Sequence, residues 1–210
     1  WIKVAVPGDD SLKRAGELMS KGGLHTVCQE AHCPNIYECW QRGTATFLIL
    51  GEVCTRKCGF CAVSKGSPTP VDPDEPGELA EAAARLDLKH VVITSVDRDD
   101  LPDGGAGQFA KTLEALREKL PSATTEVLVP DFRPDPVLGL EIVLNANPTI
   151  FSHNVETVRR LYPAARPGSN YDHSVSLLAS AAEKIGGDRV KSSLILGLGE
   201  QEDEVKETIQ

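Results

Sequence analysis

What this sequence lacks narrows its class before any motif is considered. Its 210 residues contain no apolar run near the roughly 20 residues that a membrane-spanning helix needs. The net charge is −9, so the chain lacks the basic surface typical of a nucleic-acid-binding protein. Its first residues form neither a signal peptide nor an Arg-rich transit peptide. We therefore expect a cytoplasmic protein that binds neither nucleic acid nor a membrane.

Cysteine is absent from the whole chain after Cys61, and all six cysteines lie between Cys28 and Cys61. A disulfide framework would need an oxidising compartment, for which the sequence carries no secretion signal. Clustered cysteines in a reducing compartment are instead typical of metal or iron–sulfur sites. The sequence therefore predicts a metal centre in its first third.

Three of these cysteines form a short loop with the spacing C-x3-C-x2-C, namely Cys54, Cys58 and Cys61. The apolar residues 47–51 before them predict a buried strand, and loops that leave such strands often carry chemistry in α/β folds. Three thiolates bind three irons of a four-iron cluster and leave the fourth iron open. The alternative, a structural zinc site, would want a fourth protein ligand and usually paired C-x2-C hooks.

A second, wider triplet lies upstream, with the spacing C-x4-C-x5-C. Its members are Cys28, Cys33 and Cys39. The spacing and the presence of Pro34 indicate a loop that wraps a metal centre, with a helical turn over residues 36–41. We interpret His32 as a loop histidine rather than a ligand, because three thiolates already provide most of a site.

From residue 47 onward, predicted strands and helices alternate. The predicted strands are residues 47–51, 90–95, 126–130, 150–155 and 190–197, and the predicted helices are residues 75–86, 108–120, 137–144, 174–184 and 200–210, with a further short helix at 10–19. Strands separated by helices predict right-handed βαβ units and a parallel sheet. Because no nucleotide-binding glycine loop is present, about five such units favour a partial barrel. We expect an extension over residues 1–45 and a barrel over 46–210.

Together the two triplets resemble the radical S-adenosylmethionine (SAM) enzymes, and among them the lipoyl synthases. Further strings carry the resemblance along essentially the whole chain: Gly23-Leu-His-Thr-Val-Cys28, Cys33-Pro-Asn35, Gly43-Thr-Ala-Thr-Phe47, Val96-Asp-Arg-Asp-Asp-Leu-Pro-Asp-Gly-Gly105, Val129-Pro-Asp-Phe132, His153-Asn-Val-Glu-Thr-Val158, Arg166-Pro-Gly168 and Leu196-Gly-Leu-Gly-Glu200. The resemblance implies an α/β fold of the radical SAM type, a partial (β/α)6 barrel with an N-terminal cluster-binding extension.

The resemblance also implies the cofactors, two [4Fe–4S] clusters and SAM. One cluster, on Cys54, Cys58 and Cys61, would bind SAM through its open iron and generate a 5′-deoxyadenosyl radical. The other, on Cys28, Cys33 and Cys39, would be consumed as the source of sulfur. The family takes a further auxiliary ligand from an Arg-Ser-Ser-Ser motif, which is absent here. Ser192 and Ser193 lie on a predicted strand, which is the wrong context for that motif. Either the motif belongs to a missing C-terminal part or this chain cannot complete the auxiliary cluster. We expect a missing part, because the sequence ends within a predicted helix and the sixth barrel strand is absent.

By the same resemblance, several residues are expected to contact SAM. They are Phe60 near the adenine, Thr94 and Ser95 after the second predicted strand, Asn154 and Glu156 at the ribose, and Ser193, Ile195 and Gly197 in a variant of the G-x-I-x-G-x-x-E pattern. Plainer alternatives stay open for several of these segments. Glu156 would be a helix-start carboxylate, Ser193 would lie on an ordinary buried strand, and residues 166–168 would form a turn rather than a substrate contact. Residues 97–100 would either bind the amino-acid part of SAM or form a solvated loop.

The function that the resemblance implies is insertion of two sulfur atoms at the sixth and eighth carbons of a protein-bound octanoyl chain. Implied partners are an octanoylated lipoyl carrier protein or lipoyl domain, an electron donor of the ferredoxin or flavodoxin type, and an iron–sulfur cluster carrier. The alternatives are another sulfur-inserting radical SAM enzyme, of the biotin synthase or methylthiotransferase type, and a two-cluster electron carrier. An electron carrier should be small and supply four ligands per cluster, which fits two triplets badly.

Overall fold

The computed structural model describes residues 25–30 and 33–210. The extension contains strand β1 (His25–Thr26), helix α1 (Val27–Glu30) and helix α2 (Ile36–Gln41). The chain continues through β2 (Thr44–Ile49), β3 (Val53–Cys54), β4 (Ser64–Lys65), α3 (Glu75–Arg85), β5 (His90–Ser95), α4 (Ala106–Lys119), β6 (Thr124–Leu128), α5 (Pro136–Asn145) and β7 (Ile150–Ser152). A 3₁₀ turn (Arg159–Leu161) leads to α6 (Tyr162–Ala165) and α7 (Tyr171–Ile185), and another (Gly187–Arg189) precedes β8 (Val190–Lys191) and α8 (Glu202–Ile209).

The main sheet has six strands in the order β1-β2-β5-β6-β7-β8. The strands from β2 to β8 are parallel to their neighbours, whereas β1 runs antiparallel along the outer edge of β2. Strands β3 and β4 pair with each other in a separate two-stranded sheet. Parallel neighbours in chain order, connected through helices, confirm the predicted βα units and partial barrel. Because these strands run in one direction, their carboxyl ends meet at one edge of the sheet.

The core lies between the sheet and the helices that cover its outer face. Alternate strand residues point into this layer and are fully buried: Phe47, Ile49, Val91, Ile93, Val127 and Phe151. Leu79 of α3 and the residues Phe109 and Leu113 of α4 pack in the same cluster. Each large apolar side chain buried in this way contributes roughly 1.5–3 kcal/mol. The packed layer therefore fixes where each strand ends.

Helix boundaries follow local signals in the sequence. The Asp135 carboxylate accepts a hydrogen bond from the backbone of Leu138 at 3.0 Å, with Pro136 in the first turn of α5. The Asn170 side chain caps α7 in the same way, 3.1 Å from the nitrogen of His173. Such caps satisfy backbone donors that a helix start leaves unpaired. None of the helices in the described ranges is long and apolar enough to cross a membrane.

Two predicted strands are shorter than expected. Strand β7 ends at Ser152, and Glu156 shortly after it has a left-handed backbone, with φ of 68°. Strand β8 covers only Val190–Lys191 of the predicted residues 190–197. The prediction that the strand continues over residues 192–197 was wrong, because the chain turns at two glycines of positive φ, Gly197 and Gly199. The predicted helix at residues 10–19 lies outside the described residues.

Candidate functional site

A cavity of about 300 Å³ lies at the carboxyl edge of the parallel strands. It is lined by the loop that follows β2 and by the ends of β5, β6 and β7. Eight of the predicted site residues line it: Cys54, Cys58, Phe60, Cys61, Thr94, Ser95, Asn154 and Glu156. This is the edge at which ligands bind in α/β barrels, and the volume suits a small molecule.

The loop cysteines are neighbours without forming a site for a single ion. Among the described residues, no three His, Cys, Asp or Glu side chains are arranged to hold one metal ion. All three cysteines nevertheless line the same cavity, and the backbone nitrogen of Cys61 donates to the carbonyl oxygen of Cys58 at 3.3 Å. In a four-iron cluster each thiolate binds a different iron, so the ligands stand further apart than around one ion.

The first cysteine of the loop is held against the end of β5. The Cys54 sulfur accepts hydrogen bonds from the backbone nitrogens of Arg56, at 3.4 Å, and Asp97, at 3.3 Å. The Thr55 hydroxyl donates to the carbonyl oxygen of Asp97 at 2.9 Å. Burial raises the pKa of the Cys54 thiol to about 11. A metal ligated at this position would have to displace that proton.

Arg56 anchors the centre of the loop through a buried guanidinium. Its Nε and Nη2 donate to the two oxygens of Asp99, at 2.6 and 2.9 Å. Its Nη1 donates to Asp131 at 2.5 Å and to the Ser169 hydroxyl at 2.8 Å. These partners follow β5, follow β6 and precede α7. One side chain therefore joins the cysteine loop to three other segments of the same edge.

Asp131 is the shared acceptor of this network. Besides Arg56, it accepts a hydrogen bond from Arg166 Nη2 at 3.2 Å and one from the Ser169 hydroxyl at 2.9 Å. Burial alone would raise the pKa of Asp131, but Arg166 and Arg56 lower it to about 2. The carboxylate is therefore ionised between two arginines, at the centre of the buried polar layer beneath the cavity.

His153 completes this layer as a neutral group. Its Nδ1 donates to the carbonyl oxygen of Val129 across 2.9 Å, and its Nε2 lies 3.0 Å from the Ser174 hydroxyl. Burial lowers the pKa of His153 to about 4. A histidine held in this way positions its neighbours and carries no charge near neutral pH.

The charged segment 97–100 is an anchor as well as a loop. Arg98 is 3% exposed, donates to both oxygens of Asp100 at 2.9 and 2.8 Å, and reaches the carbonyl oxygen of Leu50 at 3.3 Å. Asp99 is occupied by Arg56. The solvated-loop alternative is therefore wrong for Arg98 and Asp99, whose side chains hold the ends of β2 and β5 together.

The two hydroxyls at the end of β5 differ in their partners. Thr94 donates to the carbonyl oxygen of Leu128 at 3.0 Å. The Ser95 hydroxyl is buried and has no hydrogen-bond partner among the described residues, although Ser95 lines the cavity. An unpaired buried hydroxyl costs roughly 1–3 kcal/mol. A bound ligand with a polar group at this position would remove that cost, so Ser95 fits the expectation of a cofactor contact.

Asn154 and Glu156 present polar groups to the cavity after β7. Burial raises the pKa of Glu156, and no helix begins at this residue. Its left-handed backbone is an uncommon conformation for a side chain of this size, and such strain clusters at functional sites. The helix-start alternative therefore does not describe Glu156.

The residues of the glycine-containing pattern lie behind this pair. The Ser193 hydroxyl donates to the Asn154 side chain at 2.7 Å, and the Ile195 nitrogen donates to the carbonyl oxygen of Glu156 at 2.8 Å. Neither Ser193 nor Ile195 lines the cavity, and Gly197 is exposed in a turn. The structure thus brings Ser193 and Ile195 to the site through Asn154 and Glu156, and does not bring Gly197 to it.

The upstream triplet lies outside the cavity. The backbone nitrogen of Cys33 donates to the carbonyl oxygen of Cys28 at 3.1 Å. Burial, followed by the charges of Cys28 and Cys33, raises the pKa of the Cys39 thiol. The predicted helical turn at 36–41 is confirmed as α2, and pairing of β1 with β2 places the extension at the edge of the sheet. His32 lies outside the described residues.

Sequence reasoning did not assign roles to Arg56, Asp131, His153 or Ser169. Arg56 lies inside the cysteine motif, and Asp131 and His153 lie in strings that carried the family resemblance. Motif membership was thus an available signal for three of them. The ion pair between Arg56 and Asp131 joins positions 75 residues apart. A single sequence contains no direct sign of such a contact.

Comparisons with known proteins agree with this geometry. Residues 48–210 match the family described as the radical SAM superfamily. The whole chain is 51% identical to a lipoyl synthase of Methylococcus capsulatus, and spans 65% of its length. It is 49% identical to a lipoyl synthase of Rubrobacter xylanophilus, again over 65% of that protein, and 50% identical to one of Thiobacillus denitrificans, over 68%. The chain thus spans about two thirds of these curated relatives.

Solved structures show the same fold at low sequence identity. A crystal structure of methylornithine synthase superposes with a TM-score of 0.59 at 15% identity, over 95% of this chain and 61% of that one. The FeFe-hydrogenase maturase HydG from Carboxydothermus hydrogenoformans gives a TM-score of 0.61 at 14% identity, over 91% of this chain and 49% of the other. Both likenesses concern the architecture alone.

Proposed function

This chain belongs to the radical SAM superfamily and, within it, to the lipoyl synthase family, and we propose that it carries out the chemistry of a lipoyl synthase. In the proposed reaction, two sulfur atoms enter at the sixth and eighth carbons of an octanoyl chain bound to a carrier protein. The observation that supports this best is the cavity that joins the Cys54 loop to the strand ends. Unactivated C–H bonds offer no handle to an acid or base, so cofactors must supply the chemistry.

Cys54, Cys58 and Cys61 are the proposed ligands of the cluster beside the cavity. These cysteines line one cavity together with the unpaired Ser95 hydroxyl, and this supports a cluster that binds SAM. When bound, these groups supply a 5′-deoxyadenosyl radical that removes hydrogen atoms from the acyl chain. The loop is held in place by Arg56, which fixes its cysteines relative to the strand ends.

The proposed SAM contacts divide into direct and supporting residues. Phe60, Thr94, Ser95, Asn154 and Glu156 line the cavity and are proposed to contact SAM directly. Ser193 and Ile195 are proposed to orient Asn154 and Glu156 through the hydrogen bonds described above. Gly197 is proposed to contribute by permitting the turn that follows, since its φ is 100°.

The upstream triplet is proposed to hold the auxiliary cluster that supplies sulfur. Its ligands would be Cys28, Cys33 and Cys39, and the backbone nitrogen of Cys33 donates to the carbonyl oxygen of Cys28 at 3.1 Å. The proposed domain division places this triplet in an extension over residues 1–45 and the barrel over residues 46–210. The family match that begins at residue 48 supports that boundary.

The proposed protein substrate is an octanoylated lipoyl carrier protein or lipoyl domain. Reduction of the clusters requires an electron donor, proposed to be of the ferredoxin or flavodoxin type, and rebuilding the consumed cluster requires an iron–sulfur carrier. We propose a cytoplasmic location, because six clustered cysteines serve as metal ligands best where thiols stay reduced.

The experiment uses the full-length protein, reconstituted without oxygen, with iron and sulfide counted before the assay. Reductant, SAM and an octanoyl-lysyl peptide are then added, and products are followed by mass spectrometry. Two clusters per chain, 5′-deoxyadenosine and a peptide with two added sulfurs are expected. Deoxyadenosine without a thiolated peptide would contradict the lipoyl synthase proposal and leave the radical chemistry standing.

A further inference from the structure

The cavity has a polar end and an apolar end, and the strand order separates the two. At the polar end, the lining residues Asn154 and Glu156 follow β7. At the other end, Val27 of α1, Leu48 of β2 and Val63 just before β4 line the cavity with apolar side chains. Strands β5 and β6 lie between β2 and β7 in the sheet. One end of the cavity therefore suits a polar ligand and the other suits a hydrocarbon group.

The apolar end adjoins the upstream triplet. Val27 directly precedes Cys28, a proposed ligand of the cluster that supplies sulfur. The charged neighbour at this end, Lys65, is exposed, and its Nζ donates to the carbonyl oxygen of Cys61 at 2.5 Å. Its ammonium is therefore not buried against the apolar wall. A hydrocarbon chain at this end would lie next to both cysteine triplets.

The floor of the cavity is one row of side chains across the sheet. Leu48, Thr94 and Leu128 are register neighbours on β2, β5 and β6, and all three line the cavity. The Thr94 hydroxyl donates to the carbonyl oxygen of Leu128 at 3.0 Å, so this donor is already used. The floor is therefore apolar on both sides of Thr94.

A buried carboxylate lies beneath Leu128. Glu126 precedes Leu128 by two residues on β6, so both side chains lie on the same face of the sheet, with Glu126 further from the carboxyl edge. Glu126 is 5% exposed and accepts hydrogen bonds from the Ser152 hydroxyl at 2.9 Å and from Lys191 Nζ at 2.8 Å. His90 Nε2 lies 3.5 Å from its other oxygen. A hydrocarbon chain that reached this network would break its contacts, and a buried polar group without a partner is costly.

We propose that Leu128 limits the length of the acyl chain that the site accepts, with the hydrocarbon lying along the apolar end of the cavity and ending on the floor above Glu126. This rests on the proposed function, which supplies the octanoyl substrate. Each methylene that leaves water raises affinity roughly fourfold until the chain reaches the floor. Beyond that length, further methylenes find no apolar surface to contact.

The test measures binding rather than turnover. The full-length protein, with both clusters oxidised and with SAM but no reductant, is titrated by calorimetry with lysyl peptides of one sequence. These peptides carry hexanoyl, octanoyl, decanoyl or dodecanoyl chains. The parent protein is expected to bind the octanoyl peptide roughly tenfold more tightly than the hexanoyl peptide, and the decanoyl peptide no more tightly than the octanoyl one.

Leu128→Ala shortens the side chain at the floor and makes room for roughly two more methylenes. This variant is expected to bind the decanoyl peptide roughly tenfold more tightly than the octanoyl peptide. The dodecanoyl peptide should gain nothing further, because the Glu126 network remains in place beneath the floor.

The matched control is Leu140→Ala. Leu140 of α5 is also a buried leucine, at 4% exposed, but it packs in the main core and does not line the cavity. Its truncation is expected to destabilise the protein and to leave the ratio of octanoyl to decanoyl affinity unchanged. An equal shift of that ratio in Leu140→Ala and Leu128→Ala would overturn the proposal, because general loosening of the core would then be the cause.

The remaining outcomes are also decisive. Affinity of the parent protein that keeps rising through dodecanoyl, or an unchanged ratio in Leu128→Ala, overturns the inference. If Leu128→Ala does not fold, Leu128→Val decides: a smaller shift towards decanoyl is expected, and the parent ratio contradicts the proposal. Failure of every acyl peptide to bind the SAM-loaded protein would sink the proposed function itself, whereas octanoyl binding without a length limit sinks only this inference.

Discussion

Arg56 donates to Asp131 across 2.5 Å, and this contact joins the cysteine loop after β2 to the loop after β6. Both side chains are almost fully buried, at 4% and 2% exposed. Removing one partner of a buried ion pair leaves the other charge uncompensated, which is more damaging than replacing both. Four predictions concern this pair, a second buried carboxylate and the contacts around the cavity.

Asp131→Asn is expected to destabilise the protein by about 3–5 kcal/mol, because it leaves Arg56 and Arg166 buried without their shared carboxylate. The free energy of unfolding in urea measures the effect. Asp172→Asn is the control, since it breaks the exposed pair with Arg159 and should scarcely move the midpoint. Equal losses in the two variants would show that burial does not decide the strength of these pairs.

Acid stability is expected to depend on Glu126. Burial would raise the pKa of Glu126, but hydrogen bonds from His90, Lys191 and Ser152 lower it from 4.5 to about 2. A lowered folded-state pKa stabilises the protein above the unfolded value, and this contribution, roughly 3 kcal/mol at most, disappears as pH falls from 4.5 towards 2. Glu126→Gln should flatten the unfolding free energy over that window, and an unchanged slope would contradict the assignment.

Cys58→Ala is expected to abolish SAM cleavage, because it removes a proposed ligand of the cluster beside the cavity. Cys33→Ala should retain measurable cleavage and lose sulfur insertion, since it alters only the upstream triplet. Deoxyadenosine and thiolated peptide are quantified separately for each variant. Should both substitutions reduce cleavage to the same extent, the division of labour between the triplets is wrong.

Ser95→Ala is expected to weaken SAM binding roughly five- to tenfold, because it removes one ordinary hydrogen bond to the bound SAM. Its effect on the stability of the SAM-free protein should be neutral or slightly favourable, because the hydroxyl has no partner to lose. Ser152→Ala is the matched control, since its hydroxyl donates to Glu126 at 2.9 Å and lies away from the cavity. That variant should lose stability and keep SAM affinity. Calorimetry measures the affinity for SAM and thermal unfolding measures the stability, so together they distinguish Ser95→Ala from Ser152→Ala.

Much of the fold followed from local signals. Strand β5 spans the predicted residues 90–95, and α5 extends the predicted residues 137–144 by one residue at each end, beginning at a proline and a capping aspartate. The predicted length of strand β8 was wrong because the apolar residues continue beyond the strand. They run into a segment whose conformation is set by Gly197, Gly199 and the Glu200 carboxylate. That carboxylate accepts from the backbone of Gly197 at 2.5 Å. Apolar content alone does not distinguish a short edge strand from a long one.

The candidate site, like the fold, could be predicted from the sequence only in part. Cysteine spacing located the loop, and βα order placed Thr94, Asn154 and Glu156 at the same edge as that loop. The buried network of Arg56 and Asp131 was not predictable, because charged residues are read from sequence as exposed until a partner is known. Pairing over such a separation depends on the finished sheet.

The cysteine loop is also tied down at its tip, where the nitrogen of Gly59 donates to the carbonyl oxygen of Ala165 at 2.8 Å. With Thr55 and Arg56, this gives the loop three anchors made by protein groups alone. Fixing the backbone of one residue costs about 1–2 kcal/mol of conformational entropy. That cost falls on the folding of the barrel, so cofactor loading is governed by access to the cavity and by proton release from the thiols.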